Sequence, residues 1–100
     1  MSIKILRHQK FDEFLSEIKD RTIRGSILAW ITRLGLGNPG DSASVGAGVY
    51  ELRIHVGAGW RVYYGKVGDQ LILLVGGGTK NGQQRDIEAA QQRLDEYRKK

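Results

Sequence analysis

The sequence predicts an α+β domain: an N-terminal helical hairpin packed on a twisted, mainly antiparallel sheet of about four strands, plus a C-terminal helix. Three observations carry this expectation. Apolar residues recur at three- and four-residue spacing from Phe11 to Leu34. Alternation with period two takes over from Val49 to Tyr64 and leads into an apolar run at 71–75. Helical spacing then returns from Ile87 to Tyr97. One hundred residues, 40% of them apolar, suit a single domain over 1–100 with one modest core.

Each element has its own signal. "SIKILR" reads as a short strand near Ile3 to Leu6. In "FDEFLSEIKD", Phe11, Phe14, Leu15 and Ile18 share one helix face, while Asp12, Glu13, Glu17 and Lys19 take the other. "RTIRGSILAWITRL" repeats the pattern with Ile23, Ile27, Trp30 or Ile31, and Leu34. A break falls near Asp20, Thr22 is a candidate cap, and Gly25 weakens the second helix by about 1 kcal/mol relative to Ala. "GLGNPGDSASVGAG" ends it: Gly35 or Gly37 suits a left-handed C-cap, and Pro39 blocks continuation. That segment is expected as a surface loop crossing from the helices to the sheet. Strands follow at 49–56, 60–66 and 70–75, joined by short turns at 57–59 and 67–69 that favour antiparallel hairpins. "LILLV" should be a central strand, and the glycines at 76–78 are expected to end it. In "NGQQRDIEAAQQRLDEYRKK", Ile87, Ala90, Leu94 and Tyr97 form the apolar stripe of the last helix. Arg98, Lys99 and Lys100 suit the negative end of its dipole. All three helices are expected to cover one and the same face of the sheet.

The net charge of +5 favours polyanionic partners such as RNA, DNA, an acidic membrane or an acidic protein, and is also ordinary for a small soluble domain. No cysteine is present, so neither a disulfide framework nor a thiolate site is expected. The N-terminal "MSIKILRHQKF" lacks the apolar core of a signal peptide, and no stretch approaches the roughly 18 to 20 apolar residues of a membrane span. A cytoplasmic location without membrane partners is the expectation. There is no HExxH and no histidine pair at ligand spacing, so neither a zinc site nor any other cofactor is expected. The run Gly76-Gly77-Gly78-Thr79-Lys80 does not have the order of a P-loop. No acidic pair marks a strand end, which argues against a two-metal nuclease.

The chemistry concentrates in "VYELRIHVGAGWRVYYG". Tyr50, Leu52, Ile54 and Val56 alternate with Val49, Glu51, Arg53 and His55, and Val62 and Tyr64 alternate with Arg61 and Tyr63. With the turn centred on Ala58, Arg53 faces Tyr63 and His55 faces Arg61. This expectation puts two guanidiniums, an imidazole and a phenol together on the open, concave side of the sheet. Such a quartet suits a phosphodiester. Arginine forks match phosphate oxygens; histidine exchanges a proton near neutrality; tyrosine stacks on unpaired bases. Lys80, just beyond the third strand of this meander, adds a cation at the same edge. Other readings stay open. Arginine beside tyrosine also serves solubility and cross-strand packing, Trp60 also suits a plug at the core's end, and Lys80 also suits a helix-flanking surface charge.

The stretch "NPGDSASVGAGVYELRIHVGAGWRVYYGKVGDQLILLVGGGTKNGQQRDIEAAQQRL" resembles the RelE/ParE toxin superfamily, and within it the small HigB-like branch of addiction-module killer proteins. The resemblance extends over nearly the whole chain and rests on the pattern "GVYELRI…GWRVYY…LILLVGGGTK…QQRDI". It implies a small ribonuclease-like α/β fold and the toxin of a type II toxin–antitoxin system. Many members cut mRNA in the ribosomal A site; ParE-like members poison DNA gyrase instead. The implied partners are a cognate antitoxin, typically a helix-turn-helix protein, together with the ribosome and mRNA. Operator DNA is reached indirectly, through the antitoxin complex. Carried over by position, the arginine of the "ELR" stretch is Arg53, the arginine of the next strand is Arg61 with Trp60 in place of the usual tyrosine, and the lysine after the glycines is Lys80. These four form the expected RNA-binding set. Some members use a tyrosine or histidine near the C-terminus; Tyr97 fits that role poorly, which leaves the proton-transfer group open among His55, Tyr63 and Lys80. The expected reaction is metal-independent attack of the RNA 2′-hydroxyl on the adjacent phosphorus, with Arg53 and Arg61 clamping the phosphate.

Overall fold

His8 closes the first strand and opens the first helix. In the computed structural model, which describes residues 2–100, β1 (Lys4–Arg7) runs into His8, whose Nδ1 accepts from the Lys10 amide at 3.0 Å and caps α1 (Gln9–Glu17). Asp20, rather than Thr22, caps α2 (Arg21–Gly35): its carboxylate accepts from the Thr22 and Ile23 amides at 2.8 and 3.2 Å. A carboxylate at the positive end of the helix dipole is also electrostatically favoured. Arg24 reaches back to the Ile18 carbonyl and fastens the hairpin. Gly37, at φ +92°, takes the left-handed position beyond α2.

The segment expected as a loop holds a strand. β2 (Ser42–Gly46) pairs antiparallel with β3 (Val49–Ile54). The two-residue connection, Ala47-Gly48, has positive φ at both positions, 54° and 82°, as a type I′ hairpin requires. Alanine rarely occupies the first of these positions, so the turn carries little sequence signal. β4 (Trp60–Gly68) and β5 (Leu71–Thr79) complete the meander, and β1 joins β5 in parallel. Among the described residues the sheet has five strands, in the order β1-β5-β4-β3-β2.

Further boundaries differ from expectation, among them the end of β4, which runs to Gly68 and into the expected 67–69 turn. β3 stops at Ile54, two residues early, because 55–59 form a five-residue connection with Gly57 and Gly59 at positive φ. β5 runs on through the glycines to Thr79. The glycines continue the strand because other groups occupy the space of their side chains. A Cβ on Gly77 would lie 2.3 Å from the Phe14 ring, and one on Gly78 would lie 2.1 Å from the Asp86 carboxylate.

The helices divide between the two faces, a correction to the expected one-sided cover. Phe11, Leu15 and Ile18 with Ile27 and Leu34 of α2 pack on Leu52, Ile54, Val62, Tyr64, Ile72 and Leu74. On the other face α3 (Gln83–Arg98) lays Ala90 and Leu94 on Val49, Tyr63, Leu73 and Val75. The reason is visible in β5: "LILLV" has apolar side chains pointing both ways, so each face demands its own cover. Gly65 allows the close approach, since a Cβ there would meet Leu94 at 2.5 Å. Among the described residues, no helix is long and apolar enough to cross a membrane.

Candidate functional site

The register of the β3–β4 hairpin sets the site. Arg53 lies directly across from Arg61, and Glu51 directly across from Tyr63. The expected pairs, Arg53 with Tyr63 and His55 with Arg61, are therefore displaced by two residues. A two-residue shift preserves which face each side chain takes, so the two arginines still share a face with Tyr63. His55 lies beyond the strand and leaves the ladder.

α3 covers part of that face, and this changes the character of the group. Tyr63 is completely buried and its phenol is no open stacking platform. Burial, followed by the nearby charges of Glu51 and Asp86, pushes its pKa well above the usual phenol value. It remains a neutral donor, giving its O–H to Glu51 Oε1 at 3.3 Å.

Glu51 is the centre of the arrangement. Its side chain is fully buried and it gathers four neighbours. Arg53 Nε donates to Oε2 at 3.1 Å. Gln83 Nε2, from the first turn of α3, donates to Oε1 at 2.7 Å. Tyr63 shares that oxygen, and Arg61 Nε lies 3.0 Å from it. The Arg61 contact is an ion pair without hydrogen-bond alignment. Its Nε and Nη1 are buried and have no hydrogen-bond partner among the described residues. The two guanidiniums differ in access: the Arg53 side chain is 39% exposed, that of Arg61 only 14%. Glu51 thus holds like charges side by side at the cost of offsetting one of them.

The remaining expected residues spread around this centre. His55 is largely exposed, and its Nε2 lies 2.7 Å from Asp41 Oδ2. Asp41 also meets Arg53 Nη1 through Oδ1 at 3.4 Å. These two contacts, the imidazole first, hold the Asp41 carboxyl below its ordinary pKa. Lys80 follows β5; its amide donates to the Gly59 carbonyl at 3.1 Å, and its side chain borders an open depression with Gln83, Gln84, Arg85 and Ile87. Trp60 points to the opposite face, half-buried against Phe14 with ring centroids 6.0 Å apart, in the plugging role. Among the described residues no cluster of three or more His, Cys, Asp or Glu is arranged to hold a metal ion.

Three residues of the site were not singled out from the sequence. Glu51 had a signal, because alternation put it on the face of Arg53. Gln83 and Asp41 had none: one belongs to α3, expected on the other face, and the other to the segment expected as a loop.

The arrangement can bind an anion. Two guanidiniums lie side by side, one retains unused donors, and a histidine–aspartate pair sits at the edge.

No family model matches the chain, and no solved structure matches it. A protein of Haemophilus influenzae described as uncharacterized is 42% identical over 90 residues, which are 90% of this chain and 91% of that one. With that identity over nearly the full length of both, the chain belongs to the family of this Haemophilus influenzae protein.

Proposed function

We propose that this protein is the toxin of a type II toxin–antitoxin pair, of the RelE/ParE kind in its HigB-like branch, and that it cuts translated mRNA without a metal. The reading draws on the resemblance of its central motifs and on one observation. Arg53 and Arg61 oppose each other across β3 and β4, and the Arg53 side chain is 39% exposed. A phosphate on the accessible Arg53 fork would also lie beside the second positive charge of Arg61. The pair then stabilises the charge that grows on phosphorus as the 2′-oxygen attacks. Positioning of the mRNA comes from the ribosome, so a sparse set of protein groups suffices. DNA, without the 2′-hydroxyl, survives. The partner is a helix-turn-helix antitoxin that masks the positive edge.

The test is end-mapping of RNA in a translating extract. Wild type leaves new 5′-hydroxyl and 2′,3′-cyclic phosphate ends, and the Arg53→Ala, Arg61→Ala double variant does not. Identical ends from both proteins refute the assignment.

A second reading follows from Glu51. Because it pairs with both guanidiniums, the arginines also suit anchors in a protein interface, as in a gyrase-poisoning toxin or a ribosome-binding protein that does not cut. Loss of supercoiling activity with intact cellular mRNA supports the gyrase form; crosslinks to ribosomes without new RNA ends support the other.

A further inference from the structure

A cleft of about 540 Å³ opens where β2 begins and β3 ends, lined by Ser26 and Trp30 of α2, Gly40, Asp41, Arg53 and His55 among others. Its edge is built by "NPGD". Gly40 N–H donates to Asn38 Oδ1 at 3.0 Å, and Gly40, at φ +57°, lies so close under the Trp30 ring that a Cβ there would come within 2.5 Å of it. The Arg53 amide donates to the Asp41 carbonyl at 2.9 Å and ties that residue's backbone to β3. The Asp41 carboxylate is therefore held by the sheet, with His55 Nε2 on one oxygen and Arg53 Nη1 on the other.

We propose that His55 is the base of the RNA-cleaving reaction and that Asp41 is its positioning residue, with the scissile nucleotide seated in this cleft against Arg53. The inference rests on the ribonuclease reading above. Asp41 Oδ2 accepts the Nε2 proton at 2.7 Å, which selects the tautomer with a free lone pair on Nδ1. Nδ1 takes the proton of the 2′-hydroxyl as the O2′–P bond forms and the P–O5′ bond breaks. The 5′-oxygen leaves with a proton from water, and the imidazolium returns its own proton to solvent. Arg53, on the same carboxylate, faces the phosphate oxygens. The charged groups around the imidazole are Asp41 and Arg53; α2 lines the cleft with the uncharged Ser26 and Trp30. Exposed ion pairs contribute little to stability, and His55 and Asp41 are 77% and 45% exposed, so either can be replaced without unfolding the chain.

Four variants test this in the translating extract: Asp41→Asn, Asp41→Glu, His55→Gln and Asp41→Asn with His55→Gln. Asp41→Asn should slow cleavage about 10- to 100-fold, His55→Gln about 100-fold or more, and the double variant no further than His55→Gln. Asp41→Glu should recover most of the rate. Nitrogen-15 NMR of the imidazole should show the Nε2–H tautomer in wild type and a mixture in Asp41→Asn. Equal tautomer populations in the two proteins, or multiplicative losses in the double variant, overturn the inference. Cleavage that depends on Arg53 and Arg61 but not on His55 or Asp41 also overturns it and leaves the ribonuclease reading standing. Absence of arginine-dependent ends removes both.

Discussion

Glu51 sits within 3.1 Å of Arg53 Nε and 3.0 Å of Arg61 Nε, a buried carboxylate between two guanidiniums that face each other across neighbouring strands. Two like charges at directly opposed strand positions repel, and the carboxylate between them offsets that repulsion. The arrangement has a cost on the other side. Burying the carboxylate removes it from water, and its four neighbours offset the loss.

Glu51→Gln should therefore destabilise the fold by about 3 kcal/mol, because it leaves the largely buried Arg61 without its counter-charge. The urea midpoint should fall with an unchanged slope. A midpoint equal to wild type would mean that solvent screens the charge of Arg61.

Arg53→Lys keeps the charge and removes the planar fork. On the proposed reading, RNA cleavage should drop by about 10- to 100-fold while the far-ultraviolet spectrum is unchanged. Full activity in the lysine variant would reduce Arg53 to a source of positive potential.

Tyr63 makes stability fall at high pH. Its pKa in the fold is raised, chiefly by burial, so the unfolded chain releases the phenol proton first. The stabilisation is complete below about pH 10, where the unfolded tyrosine is still protonated, and is lost as the pH climbs through the folded value. Urea unfolding at pH 8, 10 and 11 should show a decline that is shallower in Tyr63→Phe. Tyr64, also raised by burial, leaves a residual slope in the variant.

Ala47 occupies the left-handed region at φ 54° in the β2–β3 turn. Left-handed alanine costs about 1–2 kcal/mol, and glycine gives back part of that through its freer unfolded state. Ala47→Gly should stabilise by about 0.5 kcal/mol, read as a small rise in Tm. A fall in Tm would mean that the alanine methyl makes a contact worth more than the strain.

The helices, the meander and the shared face of Arg53 and Arg61 were legible in the residues because each follows from local periodicity. Phe11, Leu15, Ile27 and Leu34 announce buried helix faces, and Val62 and Tyr64 point opposite to Arg61 and Tyr63 whatever their partners are. Those relations survive any even shift of register. What tertiary structure alone decided was pairing and cover. The 55–59 connection places Arg53 opposite Arg61, and a turn through Ala47 makes a strand of 42–46 and carries Asp41 to His55. α3 lies on the face opposite the first two helices, which buries Tyr63 and brings Gln83 to Glu51. Alternation tells a side chain which way to point and nothing about what will lie over it; that depends on contacts between residues as far apart as Glu51 and Gln83, which no local pattern encodes.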